Sequence, residues 1–461
     1  MLDRLSAHAG RFASQGELRW HANVSTQISM RKGVLLANGQ SRDSGVSARL
    51  FENGVYGFAS APRDDNETIA AVIAAARDNA ESVTTRPRGR PIAPAPSVPG
   101  QGVFDYRSRK PAISAAERVA ILASLDAALR RKFPNLVNVD LTLNANASEK
   151  ALLTSDGART YSYVPRAVLA VKMAVEANDG LVELYDAIGG FGEIQDQSFD
   201  AESLLPWLDE LYEELRLKAE GGQCEAGSHD VVLDSELAGI LAHEAIGHTC
   251  EGDLVLAGSV AGDRLGETVA SEKITLGDYA QRGPDGGGTI AIHVDDEGTQ
   301  CRDVTIIEKG VLKGFLHSRQ TAAELDAEPT GNARAFSFSD EPLVRMRNTA
   351  ILPGEDKRAE MIASIDRGYY LKRPSNGQAD LTSEFMFGVC CGYEIRNGKL
   401  ARAVRDTTIS GVAFDMLKTV THVGDDFSWS MPGGFCGKKQ PIAVGTGGPS
   451  LKCKVTIGGR G

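Results

Sequence analysis

Runs of alternating apolar and polar residues recur along this chain and are bounded by Asn-Gly signals. "TQISMRKGVLLANGQS" (Thr26–Ser41), "GVSARLFENGVYGFAS" (Gly45–Ser60) and "YEIRNGKL" (Tyr393–Leu400) are three of them. Alternation with period two puts one row of side chains on each face of a strand, and Asn-Gly supplies the two left-handed residues of a tight hairpin. An isolated hairpin is marginal in water, so these segments must pair into larger sheets.

Between the strands lie three segments of helical period. "NETIAAVIAAARDNAES" begins at Asn66, a candidate cap. "SAAERVAILASLDAALRRKF" opens with Ser114 and Glu117, the spacing of a capping box. "SLLPWLDELYEELRLKAEG" starts at Ser203. A proline-rich strap, residues 86–102, separates the first helix from the second and holds no regular element. Each of the two blocks before residue 220 runs strands, then "GFAS" or "GGFG", then a helix, the order an internal duplication would leave.

From about Gly222 the character changes. "HDVVLD" reads as a short buried strand leading into a helix. After it come glycine and short strands: "GTIAIHVDDEG", "RDVTIIEKGVLKGFLHS", "GVCCGYEIRNGKLARAVRDTTISG" and "LKCKVTIGG". The expected fold class is α+β in two domains. An α/β N-terminal domain spans 1–220, and a β-rich C-terminal domain, barrel- or sandwich-like, spans 221–461 and carries the helix after "HDVVLD".

Composition excludes some functions. The formal charge of -11 repels a phosphate backbone, so no nucleic-acid partner is expected. No run of about 18 apolar residues exists, and the N-terminus "MLDRLSAHAGRFASQGELRW" has no apolar core, so neither a membrane span nor a signal peptide is expected. Seven scattered cysteines do not form a secreted disulfide framework. The expectation is a cytoplasmic protein with reduced thiols.

The chemistry concentrates in "LAHEAIGHTCEGD", Leu241–Asp253. A zinc hydrolase needs about three protein ligands, an open position for water and a carboxylate base. His243 and His248 offer imidazoles and Glu244 a base. In the familiar H-E-x-x-H pattern the histidines are four apart; here they are five apart. On a regular helix that turns them about 140° away from each other. An extra residue absorbed as a π-bulge would bring them back to one face, as would a helix ending near Gly247. Two core histidines near a glutamate, each simply hydrogen-bonded, would give the same letters at roughly even odds. The third ligand is open among local Cys250, Glu251 and Asp253 and the distant Cys436, which sits in "MPGGFCGKKQ". Cys250, two positions after His248, points away on a helix. Asp295, Asp296 and Glu297 read as a turn rather than a second acidic site, at roughly three to one. Adjacent Cys390 and Cys391 read as strand residues.

The chain resembles the TldD/PmbA family of peptidases. The resemblance rests on "HEAIGHTCEGD", "DDEGT" (Asp295–Thr299), "GVLKGFLHSRQTA" (Gly310–Ala322), "RMRNTAILPG" (Arg345–Gly354), "FCGKKQP" (Phe435–Pro441) and "DSGVSARLFENGVYGFAS" near the start. It implies a zinc peptidase in which His243, His248 and Cys436 hold Zn2+ and Glu244 is catalytic. It also implies a dimer, either a homodimer or a pair with a non-catalytic PmbA/TldE-like subunit, and extended or unfolded peptides as substrates, modified peptide precursors included. Because all four residues are present, the chain resembles the catalytic branch. Two other readings use the same residues: a metal-dependent amidase acting on a small-molecule intermediate, and a non-catalytic partner subunit. An intact Glu244 disfavours the second, since a scaffold needs no base.

Overall fold

The computed structural model describes all residues except 13, 85–91, 179, 431–433 and 459–461. Strands β1 (Gln15–Arg31), β2 (Val34–Glu52), β3 (Val55–Ala61), β4 (Gln101–Asp105), β5 (Asn138–Thr154), β6 (Arg159–Ala177) and β7 (Gly180–Phe191) form one sheet. Its order is β3-β2-β1-β5-β6, with β4 and β7 both pairing with β6. Two antiparallel meanders, β1–β3 and β5–β7, meet edge to edge through β1 and β5, and each is followed in the chain by a helix, Asn66–Thr84 or Ala201–Glu220. Helices Ala115–Lys132 and Ala201–Glu220 bury Leu122, Leu125, Leu208 and Leu211 against Leu141, Leu169 and Val171 of the sheet.

The Ser114–Glu117 capping box is present. The first helix is capped differently from expectation. Asp65, not Asn66, accepts the Thr68 N–H, because its carboxylate is the better acceptor at a helix start and sits one residue earlier. Of the proline-rich strap, residues 86–91 lie outside the described residues. The part from 92 to 100 has no helix or strand and lies along the C-terminal half, where Ala95 N donates to Arg319 O and Gln300 N donates to Val98 O.

The C-terminal half is built on β8 (Gly227–Leu233), β9 (Arg367–Ala379), β10 (Glu384–Arg396), β11 (Lys399–Val412) and β12 (Leu451–Gly458). They pair in the order β11-β10-β9-β8-β12, and β11 also pairs with β12, which closes the sheet into a barrel. The β10–β11 turn is Asn397-Gly398, both at positive φ, as the sequence requires of a two-residue hairpin. Cys391 is buried and Cys390 half-buried in β10. A separate six-stranded sheet, including Leu276–Tyr279, Asn348–Ile351 and Gly445–Gly448, packs beside the barrel. "GTIAIHVDDEG" forms no strand: the Asn348 side chain takes the Thr289 and Ile290 N–H groups that a strand neighbour would have taken. Among the described residues no helix is long and apolar enough to cross a membrane.

Asp295, Asp296 and Glu297 do form a turn, with Asp295 Oδ1 accepting from Glu297 N and Thr299 N. The turn is buried and joins the two halves of the chain. Lys150 on β5 pairs with Asp296 at 2.7 Å, and Arg49 on β2 pairs with Glu297. Asp296 and Glu297 are structural ion-pair partners and Asp295 is met by backbone N–H groups, which is why these charges tolerate burial together.

Candidate metal centre

Strand β8 delivers the chain into a short helix, Ser235–Leu241, whose N-cap Asp234 accepts the Leu237 N–H. The next six residues, Ala242–Gly247, are a π-helix. The His248 N–H donates to the His243 carbonyl, an i→i+5 bond that spans the two histidines in question. A single 3₁₀ turn, His248–Cys250, comes next. The widened turn brings both rings to one face, with centroids 5.2 Å apart. Gly247 serves this turn through space rather than backbone freedom. Its φ of -56° is ordinary helix, but a Cβ there would lie 2.0 Å from Met346 Sδ.

Cys436 reaches the same face from a two-stranded hairpin, Phe435–Lys438 with Gln440–Ala443. Its Sγ lies 3.0 Å from His248 Nε2, across 188 positions of sequence. One ligand atom from each of His243, His248 and Cys436 falls within 4.8 Å of the others. Cys250 is fully buried in the apolar core instead, and burial pushes its thiol up to about 12. Glu251 and Asp253 turn to Lys438, at 3.1 and 2.9 Å.

The three residues fit a metal. Buried polar atoms almost always find hydrogen-bond partners. Yet His243 is 2% exposed and neither of its ring nitrogens has one among the described residues. Burial pushes the Cys436 thiol up, but His243 and His248 outweigh it and hold it down to about 5. His248 acts through its hydrogen bond; His243, which makes no bond of good geometry, acts by proximity. The sulfur is therefore a thiolate at neutral pH, the form that binds metal. Burial disfavours charge on His248, but Glu251 and Cys436 push the imidazole up to about 10. A cation bound here would take the place of the His248 Nε2 proton, and two imidazoles and a thiolate are then a donor set suited to zinc.

Around these three is a supporting layer that sequence reasoning missed. Glu251, fully buried, holds His248 Nδ1 at 2.7 Å, which fixes the ring so that Nε2 faces the centre. The one signal for it was its place one helical turn after His248. Lys438 binds Glu251 from the hairpin that carries Cys436. Arg345, 0% exposed, donates to the carbonyls of Cys436 and Gln440 at 2.5 and 2.7 Å and so clamps that hairpin. Glu244 is partly exposed, with Oε2 3.7 Å from His248 Nε2.

Matches to known families cover the chain in three pieces. Residues 226–459 match the PmbA/TldA metallopeptidase C-terminal domain, residues 16–80 match domain 1 and residues 109–219 match the central domain. The chain belongs to the PmbA/TldD metallopeptidase family. A metalloprotease of Methanothermobacter thermautotrophicus is 33% identical over 96% of this chain and 95% of its own. A TldD homologue of Buchnera aphidicola, also named a metalloprotease, is 29% identical over 96% and 92%. A zinc metalloprotease TldD homologue of Saccharolobus solfataricus is 35% identical over 57% and 58%. Among solved structures, a Thermotoga maritima protein described as a modulator of a DNA gyrase superposes with a TM-score of 0.78 at 20% identity. TldE from Thermococcus kodakarensis superposes at 0.77 and 17%. Each covers 99% of both chains and shows the shared α+β fold.

Proposed function

We propose that this member of the PmbA/TldD family is a zinc-dependent peptidase that hydrolyses extended or unfolded peptides. His243, His248 and Cys436 are its metal ligands and Glu244 is its general base. The observation that carries this reading is the convergence of the three donor atoms within 4.8 Å while the buried His243 nitrogens have no protein partner among the described residues. Zinc held by His243, His248 and Cys436 would supply Lewis acidity and would acidify water. Glu244 stands beside the centre with one side open to solvent, placed to take a proton from water and return it to the leaving amine. Glu251 holds His248 in one tautomer throughout. The Cys436 strand pairs with one neighbour only among the described residues, and an extended peptide can add to a strand edge by main-chain pairing.

Elemental analysis of protein purified without added metal is expected to give one zinc per chain. A ratio near zero, with no activity gained on adding metal, would sink the reading. A small-molecule amidase would use the same residues, and a peptide-library digest set against a panel of simple amides separates the two.

We also propose that the chain works as a dimer, with itself or with a PmbA/TldE-like subunit. Its fold matches TldE along nearly the whole chain, and the β1–β2 hairpin leaves Val34, Leu35 and Leu36 exposed. Light scattering of the chain alone and mixed with such a subunit is expected to show the dimer mass; a fully active monomer contradicts this.

A further inference from the structure

A cavity of about 150 Å³ lies between the N-terminal sheet and the C-terminal half, walled in part by Phe104 and Phe435. Phe435 directly precedes Cys436. Arg166, on β6, is also in the wall and is 5% exposed. Its Nη1 donates to Gly434 O at 3.1 Å, and its guanidinium sits 4.6 Å from the centre of the Phe435 ring. Its Nη2 has no hydrogen-bond partner among the described residues. The other cations of the wall are committed. Lys150 pairs with Asp296 at 2.7 Å, and Arg334 donates to the carbonyls of Met346 and Ala443. No carboxylate pairs with Arg166 among the described residues. Burial alone acts on it, lowering it to about 10, so it stays charged at neutral pH.

A buried guanidinium without a counter-ion is costly, and its planar fork matches a carboxylate. Gly434 is two residues from Cys436, a backbone span of at most about 7 Å. We infer that Arg166 receives a carboxylate of the peptide substrate. This inference rests on the peptidase reading and deepens it. The carboxylate has two sources, the free end of the peptide or an Asp or Glu side chain, and the chemistry of recognition is the same.

The test is binding, which does not depend on turnover. Zinc-loaded Glu244→Gln protein is titrated with three labelled tetrapeptides: a free acid without acidic side chains, its C-terminal amide, and an amide carrying one Glu. A carboxylate-bearing peptide is expected to bind about 10- to 100-fold tighter than the plain amide, the range of a charge-assisted hydrogen bond. Preference for the free acid assigns the chain end, and preference for the Glu amide assigns the side chain. Equal affinity for all three overturns the proposal. Adding Arg166→Gln is expected to level the affinities with zinc content unchanged, and a preference that survives the substitution also overturns it. If that variant loses zinc with its Gly434 contact, the three-peptide comparison in the parent protein decides alone. Absence of cleavage by the wild type, with the binding preference intact, would sink the peptidase reading and leave the Arg166 site standing.

Discussion

Glu244→Gln is expected to keep its zinc and lose about 10²–10⁴-fold in peptide turnover, the range for a general base. The amide has the shape of the carboxylate and can still accept a hydrogen bond, but it cannot take a proton. Glu244 is not one of the three clustered donors. It is also only partly buried, so removing its charge leaves the packing and the ligand geometry in place. The decisive pair of measurements is turnover and metal content on the same preparation. A variant that cleaves as well as wild type removes Glu244 from the mechanism. A variant that loses both activity and zinc makes it a structural residue.

The second large effect separates two cysteines. Cys436→Ala is expected to lose most of its zinc and, with it, activity, since two imidazoles alone remain. Cys250→Ala is expected to keep both. Cys250 is 0% exposed in the apolar core, its sulfur near Thr249 Oγ1, so its loss costs packing and shows as a lower melting temperature. Metal analysis of the two variants side by side decides, and the opposite pattern, metal lost with Cys250 and kept with Cys436, overturns the ligand assignment. Cys436→Ala should also leave the hairpin in place, because Arg345 holds it through backbone carbonyls rather than through the sulfur.

What the sequence determined by itself was local. Asn397-Gly398 specifies a hairpin because two adjacent residues must take positive φ there. Ser114 and Glu117 specify a helix start because their side chains satisfy backbone groups three residues apart. If His243 and His248 are to face one ion, their five-residue gap requires an irregular turn, and a π-helix spans it. Cys436 stands out by resemblance and by its glycine surroundings, not by any spacing.

The tertiary structure decided everything that joins distant segments. Nothing local says that β1 pairs with β5, or that β11 closes on β12 to make a barrel. "GTIAIHVDDEG" has the alternation of a strand, but the side chain of Asn348, far along the chain, claims its N–H groups, and tertiary context outweighs propensity. The acids of Asp295–Glu297 read as a turn, and that turn is buried because Lys150 and Arg49 from the other half of the chain pair with Asp296 and Glu297. Cys436 meets His248 only because Arg345 and Lys438 fix its hairpin against the motif helix. Local signals travel a few residues along the backbone; a site assembled across 188 positions exists only once burial has brought its parts together.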